Sequence, residues 1–174
     1  MKRKKKLLYG LIFIFSTFII LLPLFLKPYF EQHKTLGLFE ILIVSFFGSA
    51  TIFVPTPSIL SVGIGGTLYN PFIVALLASV GSSLGESIGY LFGHSSKEVL
   101  NLKKHKLLYY LNNFIFKKYG TLAVLIFSFI PNPFFDGIGI LVGISSYSLK
   151  KFVGVVFIGR FFRNLLIAYI GAKL

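Results

Sequence analysis

The chain has 174 residues, of which 55% are hydrophobic and only 13% are charged, and its mean hydropathy is +0.83. A soluble domain of this size must keep a polar surface, so the composition excludes a soluble globular protein and indicates an integral membrane protein. The absence of cysteine excludes disulfides and thiolate sites, and the formal net charge of +13 favours anionic lipid headgroups over nucleic acid as partners.

The N-terminus combines a basic run with a long apolar segment. Lys2-Arg3-Lys4-Lys5-Lys6 precede a stretch from Leu7 to Leu26 that is long enough to cross a hydrocarbon core of about 30 Å. No small residues follow to mark a cleavage site, so the segment predicts a retained membrane anchor. Because positive charge favours the cytoplasmic side, we expect a multi-pass plasma-membrane protein with a cytoplasmic N-terminus. Residues 1–35 contain this flank, the anchor and a short link, and residues 36–174 form the membrane domain.

The membrane domain opens with an apolar run that two prolines interrupt. Leu36 to Gly48 has helical character but is too short to cross a membrane alone, and Pro55 and Pro57 follow it. Proline lacks a backbone donor and clashes with the preceding turn, so the pair predicts the tip of a helical hairpin. Such breaks at membrane depth need protein or water around them, and paired breaks in two halves indicate a transport site.

A glycine-rich span comes next, at residues 67–93. Four glycines recur along it at every fourth position: Gly81, Gly85, Gly89 and Gly93. Small residues at this spacing let a second helix approach closely. The span is therefore predicted to pack inside a helical bundle.

Residues 94–118 interleave lysines with apolar side chains at helical spacing. This pattern is typical of an amphipathic helix that lies in the membrane interface with its lysines toward lipid headgroups. The lysines indicate the cytoplasmic side. We therefore expect this basic face to contact anionic lipid headgroups.

A second proline pair repeats the first without a gap. Residues 120–130 run apolar into Pro131 and Pro133, and lysines at 150–151 mark the cytoplasm again before a last span at about 152–170. The chain therefore enters and leaves the membrane on the same side in this stretch, which favours a second hairpin. The sequence thus predicts an all-α membrane protein with about three full transmembrane helices, two facing re-entrant helical hairpins in an inverted repeat, and an amphipathic interfacial helix. The alternative is that each proline pair merely kinks a full span.

Four ionisable residues are predicted to lie inside the hydrocarbon region: Glu86, Asp136, Arg160 and Arg163. Charge there is costly, so each is a functional candidate by default and usually has a partner. We expect Glu86 to pair with one of the arginines and Asp136 to face the other arginine or a water-filled cavity. The alternative is a buried ion pair that only fixes helix packing.

Other chemistry finds little support in the sequence. The histidines at positions 33, 94 and 105 have no second ligand at metal spacing, and Gly63-Ile64-Gly65-Gly66 lacks the lysine and hydroxyl residue of a phosphate loop. No serine, histidine and acid form a recognisable triad. We therefore expect neither an enzyme nor a metal or other cofactor.

Several motifs succeed one another in a characteristic order over roughly residues 36–172. They are Phe53-Val54-Pro55-Thr56-Pro57-Ser58, then Gly81 through Gly93 with Glu86 and Tyr90, then Lys118-Tyr119-Gly120, Phe129-Ile130-Pro131 and Gly143. This succession resembles the VTT-domain superfamily, in which the DedA family of bacterial and archaeal proteins is the nearest branch. The resemblance implies a polytopic protein with two facing re-entrant hairpins, linked to lipid scrambling and to recycling of polyprenyl-phosphate carriers.

The residues around both prolines depart from that resemblance. Many DedA members carry a glutamate just after the first proline, where this chain has Thr56-Pro57-Ser58, and arginines beside the second proline, where it has Ser128 and Phe134. Asp136, Arg160 and Arg163 are the residues that would supply charge instead.

The leading expectation is movement of a lipid phosphate headgroup through a polar groove between the hairpins. Arg160 and Arg163 would receive the phosphate, because guanidinium binds it through paired hydrogen bonds, and Glu86 and Asp136 would prevent permanent binding. The partner would be a membrane phospholipid or a polyprenyl phosphate, and the sequence leaves a homo-oligomer open. One alternative is a proton- or ion-coupled transporter of a small solute, with Asp136 and Glu86 as the ion sites. Another is a structural membrane protein whose glycine-faced helix recruits partners.

Overall fold

The computed structural model describes residues 8–11, 13–14, 37–50, 57–99, 117–130, 135–145 and 147–173. Of these residues 92% are helical, and none of them forms a strand, which confirms the all-α class. Beyond the short N-terminal pieces, the helices are α1 (Leu38–Ala50), α2 (Pro57–Leu68), α3 (Pro71–Val99), α4 (Lys117–Phe129), α5 (Phe135–Ile144) and α6 (Leu149–Gly171).

Two of these helices are long and apolar enough to cross a membrane, Pro71–Lys97 within α3 and Leu149–Gly171, which is α6. The other four have 10 to 13 residues each and are too short to cross alone. Residues 8–11 and 13–14 of the predicted anchor are helical, but most of it lies outside the described residues. The third full crossing therefore stays a prediction.

Helices α1 and α2 lie side by side and run in opposite directions. A Cβ added to Gly48 in α1 would lie 3.2 Å from Ser58 Cβ, and seven residues back along α1, Ile41 contacts Gly65 of α2. The chain therefore reverses between Ala50 and Pro57. Pro57 is the first residue of α2, a position where its fixed φ and missing donor fit a helix.

Helix α3 begins at Pro71, four residues later than the sequence predicted, because Asn70 caps it. The Asn70 side-chain oxygen accepts a hydrogen bond from the Phe72 backbone nitrogen at 2.9 Å, and proline at the first helical position completes the signal. At its other end α3 continues to Val99. The expectation of an interfacial helix over 94–118 is therefore wrong for its first residues, which extend α3, and for Lys117 and Lys118, which begin α4; residues 100–116 lie outside the described part.

Glycines bring the helices together, as the four-residue spacing predicted. In α3, Gly81 and Gly85 contact the Leu42 and Phe46 carbonyls of α1, and Gly93 contacts the Ile140 carbonyl of α5. Gly89 is buried as well. These glycines thus serve packing within the chain.

A short helix from each half of the chain (α1–α3 and α4–α6) packs on the long helix of the other half. Helix α2, from the first half, packs on α6, where Gly63 and Gly66 contact Gly171 and Ala168. Helix α5, from the second half, packs on α3, where Gly139 lies beside Glu86 and Gly143 meets the backbone of Tyr90. Gly63 and Gly139 occupy matching places after the two proline pairs. Each long helix is therefore covered by a short helix of the other half.

Helices α3 and α6 cross the centre of the bundle in opposite directions. Three contacts between them follow this order: Ser79 with Asn164, Glu86 with Arg160, and Tyr90 with Phe152. The C-terminal end of α3 and the N-terminal end of α6 therefore lie at the same end of the molecule. Lys97, Lys150 and Lys151 belong to that end.

We expect Gly143→Val to lower the unfolding temperature in detergent markedly. Overpacking should reduce the free energy of unfolding by at least about 1–3 kcal/mol. A Cβ at Gly143 would overlap the Tyr90 carbonyl oxygen and lie 2.9 Å from the His94 backbone nitrogen, so α3 and α5 would have to separate. Gly154→Val is the matched control, because a Cβ there meets nothing within 4 Å. Equal melting curves for the two variants would contradict the packing described.

Candidate functional site

A buried ion pair joins the two long helices. Glu86 of α3 is 1% exposed and Arg160 of α6 is 4% exposed, and Glu86 Oε1 accepts a hydrogen bond from Arg160 Nη2. The predicted pairing of Glu86 with one of the two arginines is therefore confirmed. A Cβ built at Gly139 would lie 3.4 Å from Glu86 Oε2, so α5 covers the carboxylate and a larger residue would crowd it.

The pair lies near the middle of both long helices. Arg160 is the central residue of Leu149–Gly171, and Glu86 lies two residues from the centre of Pro71–Lys97, an offset of about 3 Å along the axis. Ions at this depth are expensive to bury, and one that loses its partner destabilises the fold.

The second arginine contacts a neutral amide, the side chain of Asn164. Arg163 donates from Nε and Nη2 to Asn164 Oδ1, at 3.4 and 3.2 Å. Asn164 Nδ2 in turn donates to Ser79 Oγ of α3 at 3.1 Å, and Ser79 Oγ donates to the Ala75 carbonyl at 2.5 Å. All three polar side chains are buried. Since Ser79 precedes Glu86 by almost two turns, this contact lies on the side of the ion pair away from the lysine-bearing end.

Sequence reasoning missed Asn164 and Ser79. An asparagine next to an arginine in an otherwise apolar span was an available signal, because buried amides need partners as charges do. Ser79 could not be singled out from the sequence, since serine is abundant in this chain. The structure connects both residues to Arg163 across the helix interface.

A third polar group lies nearer the lysine-bearing end. The Tyr90 hydroxyl donates to the Tyr147 carbonyl, and the Tyr147 hydroxyl lies 2.6 Å from Thr121 Oγ1. Tyr90 also stacks on His94, at 6.1 Å between ring centroids, and His94 meets the edge of Tyr9. These contacts tie α3 to α4, to the turn before α6 and to the N-terminal segment.

Many buried serines line the helix interfaces around these groups. They are Ser45, Ser49, Ser58, Ser61, Ser79, Ser82, Ser83, Ser95, Ser96, Ser128 and Ser145. Several donate to a carbonyl of the preceding turn, as Ser61 does to Ser58 and Ser96 to Phe92. The bundle therefore has a hydroxyl-rich interior and an exposed surface with many large apolar side chains.

Some predicted site residues lie beyond what the structure describes. Pro55, Pro131 and Pro133 are outside the described residues, and Asp136 belongs to α5 but its side chain is not described. The expectation for Asp136 stays a prediction. Gly63-Ile64-Gly65-Gly66 lies inside α2, so it is not a phosphate loop. Within the described ranges no three histidine, aspartate or glutamate side chains come close enough to hold a metal ion.

Comparison with known proteins gives one match. The family model of the VTT domain matches residues 54–173, more than half of the chain. This range includes α2 to α6 and with them Ser79, Glu86, Arg160, Arg163 and Asn164. No curated protein and no solved structure matches the chain.

Proposed function

This chain belongs to the VTT-domain family, the DedA/SNARE-associated family of membrane proteins, and from that premise we propose that it moves a phosphate-bearing lipid between the two leaflets. The observation that carries the proposal is the pair of arginines buried at the centre of the bundle. Arg160 and Arg163 lie among hydroxyls, an amide and a carboxylate, in a helix that is largely apolar after Lys151 apart from these arginines and Asn164. Intramembrane charge of this kind marks substrate pathways.

The substrate class follows from the chemistry of guanidinium. Its planar fork donates paired hydrogen bonds to a phosphate, whereas lysine offers a point charge. Glu86 competes with the phosphate for Arg160 and so keeps binding reversible. The lipid tails stay in the bilayer while the headgroup follows the polar interior, so the step needs no covalent chemistry and no cofactor. A phospholipid or a polyprenyl phosphate would satisfy these requirements.

The pathway in this proposal runs between two re-entrant hairpins. Helices of 12 or 13 residues reach only about 18–20 Å, which is less than the hydrocarbon thickness of about 30 Å. The antiparallel α1 and α2 support a first hairpin. The exchange of α2 and α5 between the halves supports an inverted repeat, in which a second hairpin of α4 and α5 enters from the opposite face.

The orientation in this proposal places the lysine-bearing end in the cytoplasm. Lys97, Lys150 and Lys151 belong to that end, and the contacts of Tyr9 with His94 and of Phe13 with Phe92 bring the N-terminal segment to the same part of α3. The basic run at 2–6 directly precedes this segment. Positive charge on one end favours a cytoplasmic N-terminus and contact with anionic headgroups.

The test is reconstitution into vesicles with a fluorescent phospholipid in both leaflets and a quencher that does not cross the bilayer. In vesicles whose protein moves lipid between the leaflets, nearly all of the label becomes accessible to the quencher. In empty vesicles about half of the label stays protected. Exchange no faster than in empty vesicles would overturn the proposal. An ion-coupled solute transporter would give that result, and its solute uptake would depend on an imposed pH gradient.

A further inference from the structure

We propose that the hydroxyl groups of Ser45 and Ser82 form a subsite that binds the phosphate of the lipid headgroup inside the bundle; this inference rests on the proposed function. Ser45 of α1 is 0% exposed and Ser82 of α3 is 1% exposed. Within the part of the chain that the structure describes, neither hydroxyl oxygen has a hydrogen-bond partner. A buried polar group without a partner is costly, so the two hydroxyls indicate a place where the folded protein binds a polar ligand.

Four helices surround the place where these hydroxyls lie. Helices α1, α2, α3 and α6 all contribute to one apolar cluster. Its fully buried members are Ile41, Val62, Val74, Ala78 and Ala168. Four residues away from a member of this cluster, on the same helix face, each helix carries a buried polar residue. These residues, which we call the polar layer, are Ser45, Ser58, Ser82 and Asn164.

The four positions of the polar layer lie on the same side of the apolar cluster. Helix α1 runs parallel to α3, because Gly81 contacts an earlier turn of α1 and Gly85 the next turn. Helices α2 and α6 run in the opposite direction. A step of four residues, forward in α1 and α3 and backward in α2 and α6, therefore leads toward the lysine-bearing end in every helix. The polar layer thus separates the apolar cluster from the ion pair of Glu86 and Arg160, which lies one turn further on.

The two hydroxyls differ from other buried serines in how their protons are used. A serine in a helix often donates to a carbonyl of the preceding turn, as Ser79, Ser83 and Ser96 do in α3. Ser45 and Ser82 make no such bond with any described residue. Each can therefore donate its proton to an acceptor on a ligand. A lipid phosphate suits this place, because it carries several acceptor oxygens on one atom and can accept from two hydroxyls at once.

The polar layer lies between the two contacts that the arginine-bearing helix makes with α3. Ser82 comes one turn after Ser79, which bonds to Asn164, and one turn before Glu86, which bonds to Arg160. The offsets along the helix axis are about 4.5 and 6 Å. A phosphate that moves between the levels of these two contacts would pass the hydroxyls. They would bind it there through neutral hydrogen bonds, which are weaker than those of a guanidinium and release it more readily.

The first test measures phosphate binding in detergent, without any lipid movement. Unfolding temperatures of the wild type and of the double variant Ser45→Ala with Ser82→Ala are compared in dioctanoyl phosphatidic acid and in dioctanoylglycerol, which lacks only the phosphate. A ligand that binds the folded protein raises its unfolding temperature. We expect phosphatidic acid to stabilise the wild type by a few degrees more than dioctanoylglycerol does, and the double variant to lose most of that difference.

Ser95→Ala is the matched control for this measurement. The Ser95 hydroxyl is also buried and also has no hydrogen-bond partner among the described residues, but it lies about 20 Å further along α3, at the lysine-bearing end. This variant should keep the wild-type response to phosphatidic acid. Without ligand, the double variant should unfold at no lower temperature than the wild type, because removal of an unpartnered buried hydroxyl relieves a desolvation cost. A marked fall would show that the hydroxyls have a structural partner and would overturn the inference.

The second test measures phospholipid exchange in reconstituted vesicles. We expect exchange to fall roughly tenfold in the double variant, because two hydrogen bonds to the phosphate are lost in the rate-limiting state, and to stay near the wild-type rate in Ser95→Ala. Exchange at the wild-type rate in the double variant, or an undiminished response to phosphatidic acid, would overturn the inference, because the hydroxyls would then bind water only.

Two further outcomes separate the subsite from the proposed function. Inorganic phosphate is the third ligand in the detergent measurement, and equal stabilisation by it would assign the subsite to a free anion and overturn the lipid assignment. Wild-type protein that binds phosphatidic acid through the two hydroxyls but does not exchange lipid would overturn the proposed function and leave the binding subsite in place.

Discussion

Replacing Glu86 with alanine is expected to destabilise the folded protein by about 3–5 kcal/mol, the usual cost of removing one partner from a buried ion pair. Arg160 is 4% exposed and would lose its ion pair with the Glu86 carboxylate. The Glu86 side chain also lies under Gly139 of α5, so its removal leaves a cavity between α3 and α5. Thermal unfolding in detergent measures the loss.

Three variants separate charge from volume in this prediction. Glu86→Gln keeps the shape and one acceptor, so it should cost less than alanine. The double variant Glu86→Met with Arg160→Met removes both charges and should recover most of the stability, because replacing a buried pair by apolar side chains is often neutral or favourable. If Glu86→Ala melts at the wild-type temperature, the ion pair does not stabilise the bundle as argued.

The double variant also tests what the ion pair is for. A purely structural pair predicts that the stable Met–Met protein still exchanges lipid. The proposed mechanism predicts that it folds and exchanges lipid poorly, because the central guanidinium is gone. Stability and exchange therefore separate the two interpretations of the same contact.

The sequence anticipated the ion pair because burial leaves few choices. Only five acidic residues occur in the chain, and Glu86 is the one inside the glycine-faced span. A buried carboxylate needs a cation, and the last span offers two. Which of the two arginines pairs with Glu86 depends on the rotation and crossing of α3 and α6, which one-dimensional spacing does not specify.

The limits of helices were harder to predict than their existence. The bounds 67–93 were predicted from the apolar residues, which show what part of the chain lies in the membrane. The start of α3 is instead set by the Asn70 cap and by Pro71. Its polar end at 94–99 stays helical because hydrogen bonds to the preceding turn continue past the apolar stretch. Pro57 was expected at the tip of a hairpin, and it is the first residue of the helix that follows the reversal of the chain, a position that proline favours.

The packing partners of the glycines were beyond prediction for a similar reason. The four-residue spacing in α3 identified a face for close approach, but not the helix that meets it. The structure uses Gly81 and Gly85 for α1 and Gly93 for α5, so one stripe serves two neighbours. The second neighbour comes from the other half of the chain, about 50 residues away in sequence.

Arg163→Ala is expected to slow phospholipid exchange roughly 10- to 100-fold, the range that corresponds to losing a charge-assisted contact of about 1.5–3 kcal/mol in the rate-limiting state. Arg163 is a cleaner test than Arg160, whose removal would leave Glu86 buried without this partner. The alanine variant leaves Asn164 bonded to Ser79, so the amide keeps its partner on α3. Vesicle exchange of a labelled phospholipid is the measurement.

Two controls decide whether the guanidinium itself is responsible. Arg163→Lys keeps the charge but loses the planar guanidinium. Lysine lacks the paired Nε–H and Nη–H donors that could bind both Asn164 Oδ1 and a phosphate. The exchange rate of this variant should therefore lie between the wild-type and alanine rates. Lys150→Ala removes an exposed cation from the start of α6 and should leave the rate nearly unchanged. If folded Arg163→Ala exchanged lipid as fast as Lys150→Ala, the phosphate would have to pass by a route on which Arg163 has no part, and the arginine-lined pathway would be wrong.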